Sequence, residues 1–376
     1  METKSLSRLY TVIAVLDEPL FWGPIILQAL ATNAGLTQEQ IFLSEAWAIA
    51  LVIILDTPLG ALADQVGRKR CVLIGKTLGV LTVILLAIMN KPWHAYVAQV
   101  LWAAEVGLVG GAESAMVRDT YAARGELPAF DKLIARVLTV KFAVSAITAI
   151  AAGYLASYSL YLPMLLSVPG VLLGYVLTFY FPEERLTVNT KKAHLHLVDG
   201  IAELKKNATL RNCFILIAAY MAISKALFFT FNPYMEKGGL SMSTVGIVLT
   251  ATMLLAAIGS RYSIKLSRLN MGHCLIMMGL LHVIAAASHA TLGAIMFATH
   301  GLVRGYANWW NQKTSQDLIA GESRATLLSL KSTITQMVSL LMFGLMSVIA
   351  NDTRLTLIVL SSISIVVGLL SLIKRK

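Results

Sequence analysis

The chain has 376 residues, 57% of them hydrophobic and only 14% charged, with a net charge of +11. Charged residues make up about a quarter of an ordinary soluble domain, so the composition excludes a soluble globular protein. Its apolar runs are continuous rather than alternating, which excludes a transmembrane barrel, and basic residues beside apolar spans reflect topology without requiring nucleic acid.

A bilayer-crossing helix needs roughly 20 apolar residues, and the chain reads as twelve of them: an all-α membrane protein. In order, the spans fall near 9–31, 41–63, 71–90, 94–117, 137–156 and 159–181, then 212–235, 242–262, 271–288, 290–310, 325–349 and 355–373. With the N-terminus in the cytoplasm, twenty-three Lys and Arg residues collect on the cytoplasmic side and only Lys91, Lys237 and Arg354 on the other. The positive-inside rule therefore puts both termini in the cytoplasm. The first apolar run is interrupted by Asp17 and Glu18 and has no small-residue cleavage site after it, so it is expected to remain as the first helix. On that helix the two acids point about 100° apart, Glu18 sharing a face with Trp22 and Asp17 with Phe21.

Between the second and third spans stands "PLGALADQVGRKR", residues 58–70, a charged knot that must lie at one membrane face. Residues 182–211 form the one long polar connection, dividing a bundle over 1–181 from a bundle over 212–376. Within it, Leu197, Ile201 and Leu204 recur at helical spacing beside Lys205 and Lys206, which predicts a short helix on the cytoplasmic surface. The halves echo one another: Gly60 closes the second span before a basic loop, Gly259 does so in the eighth, and the same offset carries Glu105 onto Arg304. Two sets of six spans with a repeated basic loop are the mark of parallel transporter repeats. Cys71, Cys213 and Cys274, odd in number and close to cytoplasmic ends, predict no disulfide framework.

"GALADQVGRKR" closely resembles the signature loop of the major facilitator superfamily, approximately G-x-L-A-D-R-x-G-R-K. Gly60, Leu62, Ala63, Asp64, Gly67, Arg68 and Lys69 match, and Gln65 replaces the usual basic residue. "DTPLG", "GAESAMVRDTY" and "RATLLSL" resemble segments of bacterial drug and metabolite exporters. The resemblance implies the major facilitator fold, two pseudo-symmetric six-helix bundles, in a monomer of the bacterial inner membrane. It also implies a cytoplasmic latch, with Asp64 near the start of the eleventh helix and Arg68 near the acidic end of the fourth, here Asp119, which Arg118 joins. The glycines suit close backbone approach, and Arg68 suits forked hydrogen bonding to an acid.

A charge at membrane depth costs about 2.5 to 3.5 kcal/mol on insertion scales and normally meets a partner or a wet cavity. In the superfamily the first, fourth, seventh and tenth helices line the cavity, and here they carry Asp17 and Glu18, Glu105, Lys225 and Arg304. Glu18 and Glu105 are the expected proton carriers and Asp17 an interhelical partner; static ion pairs of these acids with Lys225 or Arg304 are the competing reading. Trp22, Trp102 and Phe229 are candidate contacts for an organic ligand. Lys76, Lys141 and Lys331 are expected to snorkel to headgroups, Asp56 and Glu113 to serve the latch, Glu45 to be interfacial, and His282 and His300 to be isolated packing residues.

Several chemistries are excluded. "IGKT" at 74–77 has Arg70 where a phosphate-binding loop needs its first glycine. His194 and His196 lack the further ligands of a structural metal site, and no G-x-S-x-G or H-E-x-x-H marks an enzyme. The resulting expectation is a secondary transporter without a cofactor, driven by the proton gradient, that binds protons, membrane lipid and a small organic or amphipathic compound and exports it by antiport. The alternatives are a proton-coupled importer or facilitator of a metabolite and, from another class, a non-transporting membrane sensor.

Overall fold

A computed structural model describes residues 2–182, 204–318 and 324–373. Among them are thirteen α-helices and no strand. In chain order they are α1 Thr3–Leu16, α2 Ile26–Thr32, α3 Gln38–Val66, α4 Arg68–Ala87, α5 Pro92–Ala123, α6 Leu127–Tyr158, α7 Tyr161–Phe179, α8 Ala208–Lys237, α9 Met242–Arg261, α10 Met271–Ala287, α11 Ala290–Leu318, α12 Arg324–Ser347 and α13 Thr353–Ile373. Eight helices are long and apolar enough to cross a membrane by composition alone; α10, α11, α12 and the broken pair α1 and α2 complete twelve crossing segments. Large apolar side chains such as Ile147, Leu341 and Val348 stand exposed, as expected where the surrounding solvent is lipid.

The first span departs from expectation. In place of one helix over 9–31, α1 stops at Leu16, the chain turns through Asp17 to Trp22, a 3₁₀ turn covers Gly23–Ile25, and α2 resumes. The cause is local. Pro19 has no N–H to give, its ring clashes with the preceding turn, and it disfavours helical backbone at Glu18; Pro24 then sits in the first turn of the 3₁₀ segment. The shared faces expected for Glu18 with Trp22 and for Asp17 with Phe21 therefore do not exist.

The chain divides into two compact units, Met1–Thr37 with Trp47–Val188, and Gln38–Ala46 with Asn189–Lys376. The first nine residues of α3 thus group with the second unit. In the first unit α4 packs on α5 and α7, and α1 on α6 and α7; in the second, α10 packs on α13 and α11, α12 on α8, and α9 on α11. Counted by span, third on sixth is repeated as ninth on twelfth, and first on fifth as seventh on eleventh. Leu6, Tyr10, Ile13, Met116, Tyr121 and Phe181 form one core of the first unit, where the hydroxyls of Ser7 and Tyr121 meet at 2.7 Å. Leu204, one residue of the expected surface helix, packs beside Leu210, Phe214 and Leu327 of the second unit, and Lys205 and Lys206 after it are helical and exposed; Leu197 and Ile201 lie outside the described residues. The three cysteines are buried and no disulfide joins them.

Association within lipid lacks a hydrophobic drive between helices, so close packing depends on small residues. The α9–α11 seam is built this way: a Cβ on Gly301 or Gly305 would run into the carbonyl of Thr252 or Ala256, and one on Gly259 into that of Leu302. Gly305→Leu is therefore expected to destabilise the protein by about 1–3 kcal/mol, read as earlier thermal unfolding in detergent. Gly110→Ala, where nothing lies within 4 Å of the new carbon, is expected to unfold as wild type does.

Candidate functional site

The break after α1 places two acids inside the first unit. Asp17 caps α1, its N–H bonded to the Ile13 carbonyl at 3.1 Å. Its carboxylate takes a hydrogen bond from Lys76 Nζ of α4 at 2.6 Å. The same ammonium lies 2.9 Å from Glu113 Oε1 of α5, and the Lys76 side chain is only 4% exposed. Gly174 of α7 backs this cluster; a Cβ there would come within 2.9 Å of Asp17 Oδ1. Glu18 pairs with Lys141 Nζ of α6 at 2.7 Å, both side chains being about a third exposed or less.

Glu105 stands about two turns before Glu113 on α5. Its carboxylate lies against the backbone of Gly79, one turn beyond Lys76 on α4, in space that any side chain at position 79 would fill. Among the described residues Glu105 has no hydrogen-bond or ion-pair partner. Four carboxylates, Asp17, Glu18, Glu105 and Glu113, are thus matched by two ammonium groups, Lys76 and Lys141. With all four ionised the set would carry two surplus negative charges inside an apolar bundle, which is unfavourable by several kcal/mol per uncompensated charge. A proton or a cation relieves that imbalance. Trp22 and Trp102 are both half-buried in this unit.

In the second unit Lys225 of α8 pairs with Glu45 of α3, and its Nζ sits 5.6 Å from the centre of the Phe343 ring. Phe42, Phe229 and Phe343 form a triangle of rings, with centroids 5.0 to 6.1 Å apart. Gln38 Nε2 donates to the Phe229 carbonyl at 2.8 Å. Arg304 is exposed on α11. One turn before it, the His300 ring lies 5.0 Å from that of His282, and His300 Nε2 and the Tyr220 hydroxyl are 3.3 Å apart.

At the signature loop, Gly67 has φ +110°, a conformation other residues rarely adopt, and it starts α4. Arg68 Nη1 pairs with Asp119 Oδ2, and Lys69 Nζ donates to the Phe179 carbonyl at 2.8 Å. Arg118 is exposed and takes no part in that ion pair. The side chains of Asp56 and Asp64, and the surroundings of Gly60, lie outside the described residues.

The geometry corrects five expectations. Lys76 and Lys141 do not snorkel: their ammonium groups are held by Asp17 and Glu113 and by Glu18 within the bundle. Glu113 serves that lysine and not the latch. Glu45 is 7% exposed and paired, not interfacial. The partners of Asp17 and Glu18 are lysines of their own unit rather than Lys225 or Arg304. His282 and His300 are neighbours rather than isolated. A count of embedded charges per half would have found Lys76 and Lys141 as partners, since four acids in one bundle need bases close by.

Truncating Lys76 to Met leaves the exposed Asp17 and the part-buried Glu113 without their counter-charge, and is expected to destabilise the protein by less than breaking a fully buried pair would. Thermal unfolding in detergent measures this, and Asp17→Asn with Glu113→Gln in the same chain is expected to restore most of the loss.

The family model described as Major Facilitator Superfamily matches residues 9–343. The structure is similar to a mutant of the nucleoside transporter NupG, with a TM-score of 0.79 and 13% identity, over 99% of this chain and 100% of that one. It is also similar to a bacterial homologue of the human lysosomal transporter Spinster (0.75, 14%, 98% of this chain and 95% of that one). A bacterial homologue of the iron transporter ferroportin gives 0.72 at 15% identity, over 99% of each chain. At these identities the likeness shows the fold alone. No curated protein matches the chain.

Proposed function

Because the chain belongs to the Major Facilitator Superfamily, we propose that it is a proton-coupled secondary transporter of the bacterial inner membrane, a monomer with both termini cytoplasmic, that exports a small organic compound by alternating access. One observation carries the coupling: Glu105 is an unpartnered carboxyl beside an ammonium that two other acids already share. Glu105 takes and gives the proton. When it loses the proton, its carboxylate competes with Asp17 and Glu113 for Lys76, and the ammonium is drawn along the α4–α5 groove. Asp17 caps the broken end of α1, so loosening its ion pair frees the turn over Asp17–Trp22 to move. Discontinuous helices of this kind are where transporters hold substrates and coupling ions.

In the first unit Trp22 and Trp102 offer aromatic surface for an organic ligand; in the second, Phe229 offers aromatic surface and Lys225 and Arg304 positive charge. The Arg68–Asp119 pair, with Gly67 and Lys69 beside Arg68 in the chain, serves as the cytoplasmic latch, and the resemblance of the signature loop adds Gly60, Asp64 and Arg118 to it. The outward direction rests on the likeness of "GAESAMVRDTY" and "RATLLSL" to exporter segments.

The test uses inverted vesicles under an imposed pH gradient and a panel of candidate compounds. Accumulation in the wild type is expected to vanish with a protonophore. Glu105→Gln is expected to lose gradient-driven accumulation at least tenfold while keeping substrate exchange at equal pH. Glu18→Gln, which breaks only a partly exposed pair, is expected to lose less. Normal accumulation by Glu105→Gln would overturn the coupling role, and uptake in the opposite sense would make the chain an importer.

A further inference from the structure

The second unit holds a cavity of about 480 Å³ that the transport reading does not use. It lies where α8 and α10 begin and α11 and α13 end, so all its walls stand at one membrane face. By the distribution of basic residues that face is cytoplasmic. Much of its lining is apolar, with Ile215, Leu216, Met271, Leu318, Val367 and Leu370. Ile215 and Leu370 are about half exposed, so this wall opens toward acyl chains. Polar groups share the lining, Thr209, Asn212, Asn270, Thr314 and Ser371, and Trp310 lies one turn further into α11 than Thr314.

Exposed bases flank these polar groups. Arg211 adjoins Asn212, Arg268 precedes Asn270 by two residues, and Lys313 adjoins Thr314, its Nζ resting 5.4 Å from the Trp309 ring centre. Lys205, Lys206 and Lys265 stand on the same face. Among the side chains described there, no acid balances them. An apolar slot open to the bilayer, a mouth of hydroxyl and amide groups, and a rim of positive charge together select one kind of molecule.

We propose that this cavity binds an anionic phospholipid, one acyl chain lying along Leu216, Val367 and Leu370 and the phosphate meeting Asn212, Thr314 and the bases around them. Each basic residue near the surface attracts such a headgroup by about fivefold, and its reach is limited to roughly 10 Å at ordinary ionic strength. Bases placed only for topology would enrich anionic lipid around the whole face, whereas a built site retains a fixed number of molecules.

The experiment records native mass spectra of the full chain released from nanodiscs of phosphatidylcholine doped with phosphatidylglycerol. The wild type is expected to retain one phosphatidylglycerol at stoichiometric occupancy and no phosphatidylcholine. Asn212→Trp, which plugs the mouth from an exposed position, is expected to abolish retention. Arg211→Gln with Arg268→Gln, both exposed and away from the packed core, is expected to weaken it by roughly thirtyfold, and to unfold in pure phosphatidylcholine at the wild-type temperature. Equal retention of the two lipids by the wild type would overturn the proposal. So would undiminished phosphatidylglycerol binding by either variant.

Discussion

A single ammonium group, that of Lys76, sets the terms for the first unit. It is almost wholly buried in a bundle that lies in lipid, where an uncompensated charge is unfavourable by several kcal/mol. The surrounding features follow from that requirement. Pro19 ends α1 one turn early enough to bring Asp17 to the lysine, α5 supplies Glu113 from the opposite side, and Gly174 leaves room for the Asp17 carboxylate. The same groove then accommodates a third acid, Glu105, because position 79 is glycine. One cation shared among three carboxylates is a frustrated arrangement: it satisfies two at a time, and the third needs a proton. The proposed coupling rests on that imbalance rather than on any one residue.

The second unit solves its charge problem differently. Lys225 is neutralised by Glu45 and rests against Phe343 within a triangle of phenylalanine rings, so its charge is held in a fixed place by both an ion pair and ring faces. The histidines behind it, His282 and His300, are enclosed among Tyr220, Phe231 and Phe297. The two units therefore share a helix-packing pattern while differing in electrostatics: the cluster around Lys76 and Lys141 in the first holds more acids than bases, whereas in the second Lys225 is matched by Glu45. Repeats that keep their packing glycines but exchange their ionisable residues can divide the tasks of proton and ligand handling between them.

Much of this fold was legible in the sequence because the bilayer imposes a coarse rule. Runs of about 20 apolar residues give the number of the spans, and the helix boundaries follow closely for α8, α9 and α10. The pairing of charges was not legible. Which face of α4 carries Lys76 toward α1 depends on where α1 ends, and the prolines at 19 and 24 break the span expected over 9–31. Snorkelling was the wrong expectation for Lys76 for a related reason, since its partner Asp17 stands where α1 ends. Gly79 and Gly174 offered no signal, because a glycine that makes room for a carboxylate looks in sequence like any other small residue at a helix seam. The Arg68–Asp119 pair could be anticipated only because the signature loop is so closely matched.

The most direct test of the account is infrared difference spectroscopy of the purified protein in lipid, following the carbonyl stretch of protonated carboxyl groups as the pH is stepped. If the unpartnered acid beside Lys76 is the group that exchanges the proton, one such band appears and disappears with pH in the wild type. That band is then missing from Glu105→Gln and persists, shifted, when Lys76 is replaced. A spectrum in which no carboxyl band responds to pH, or in which the band survives the loss of Glu105, would contradict it.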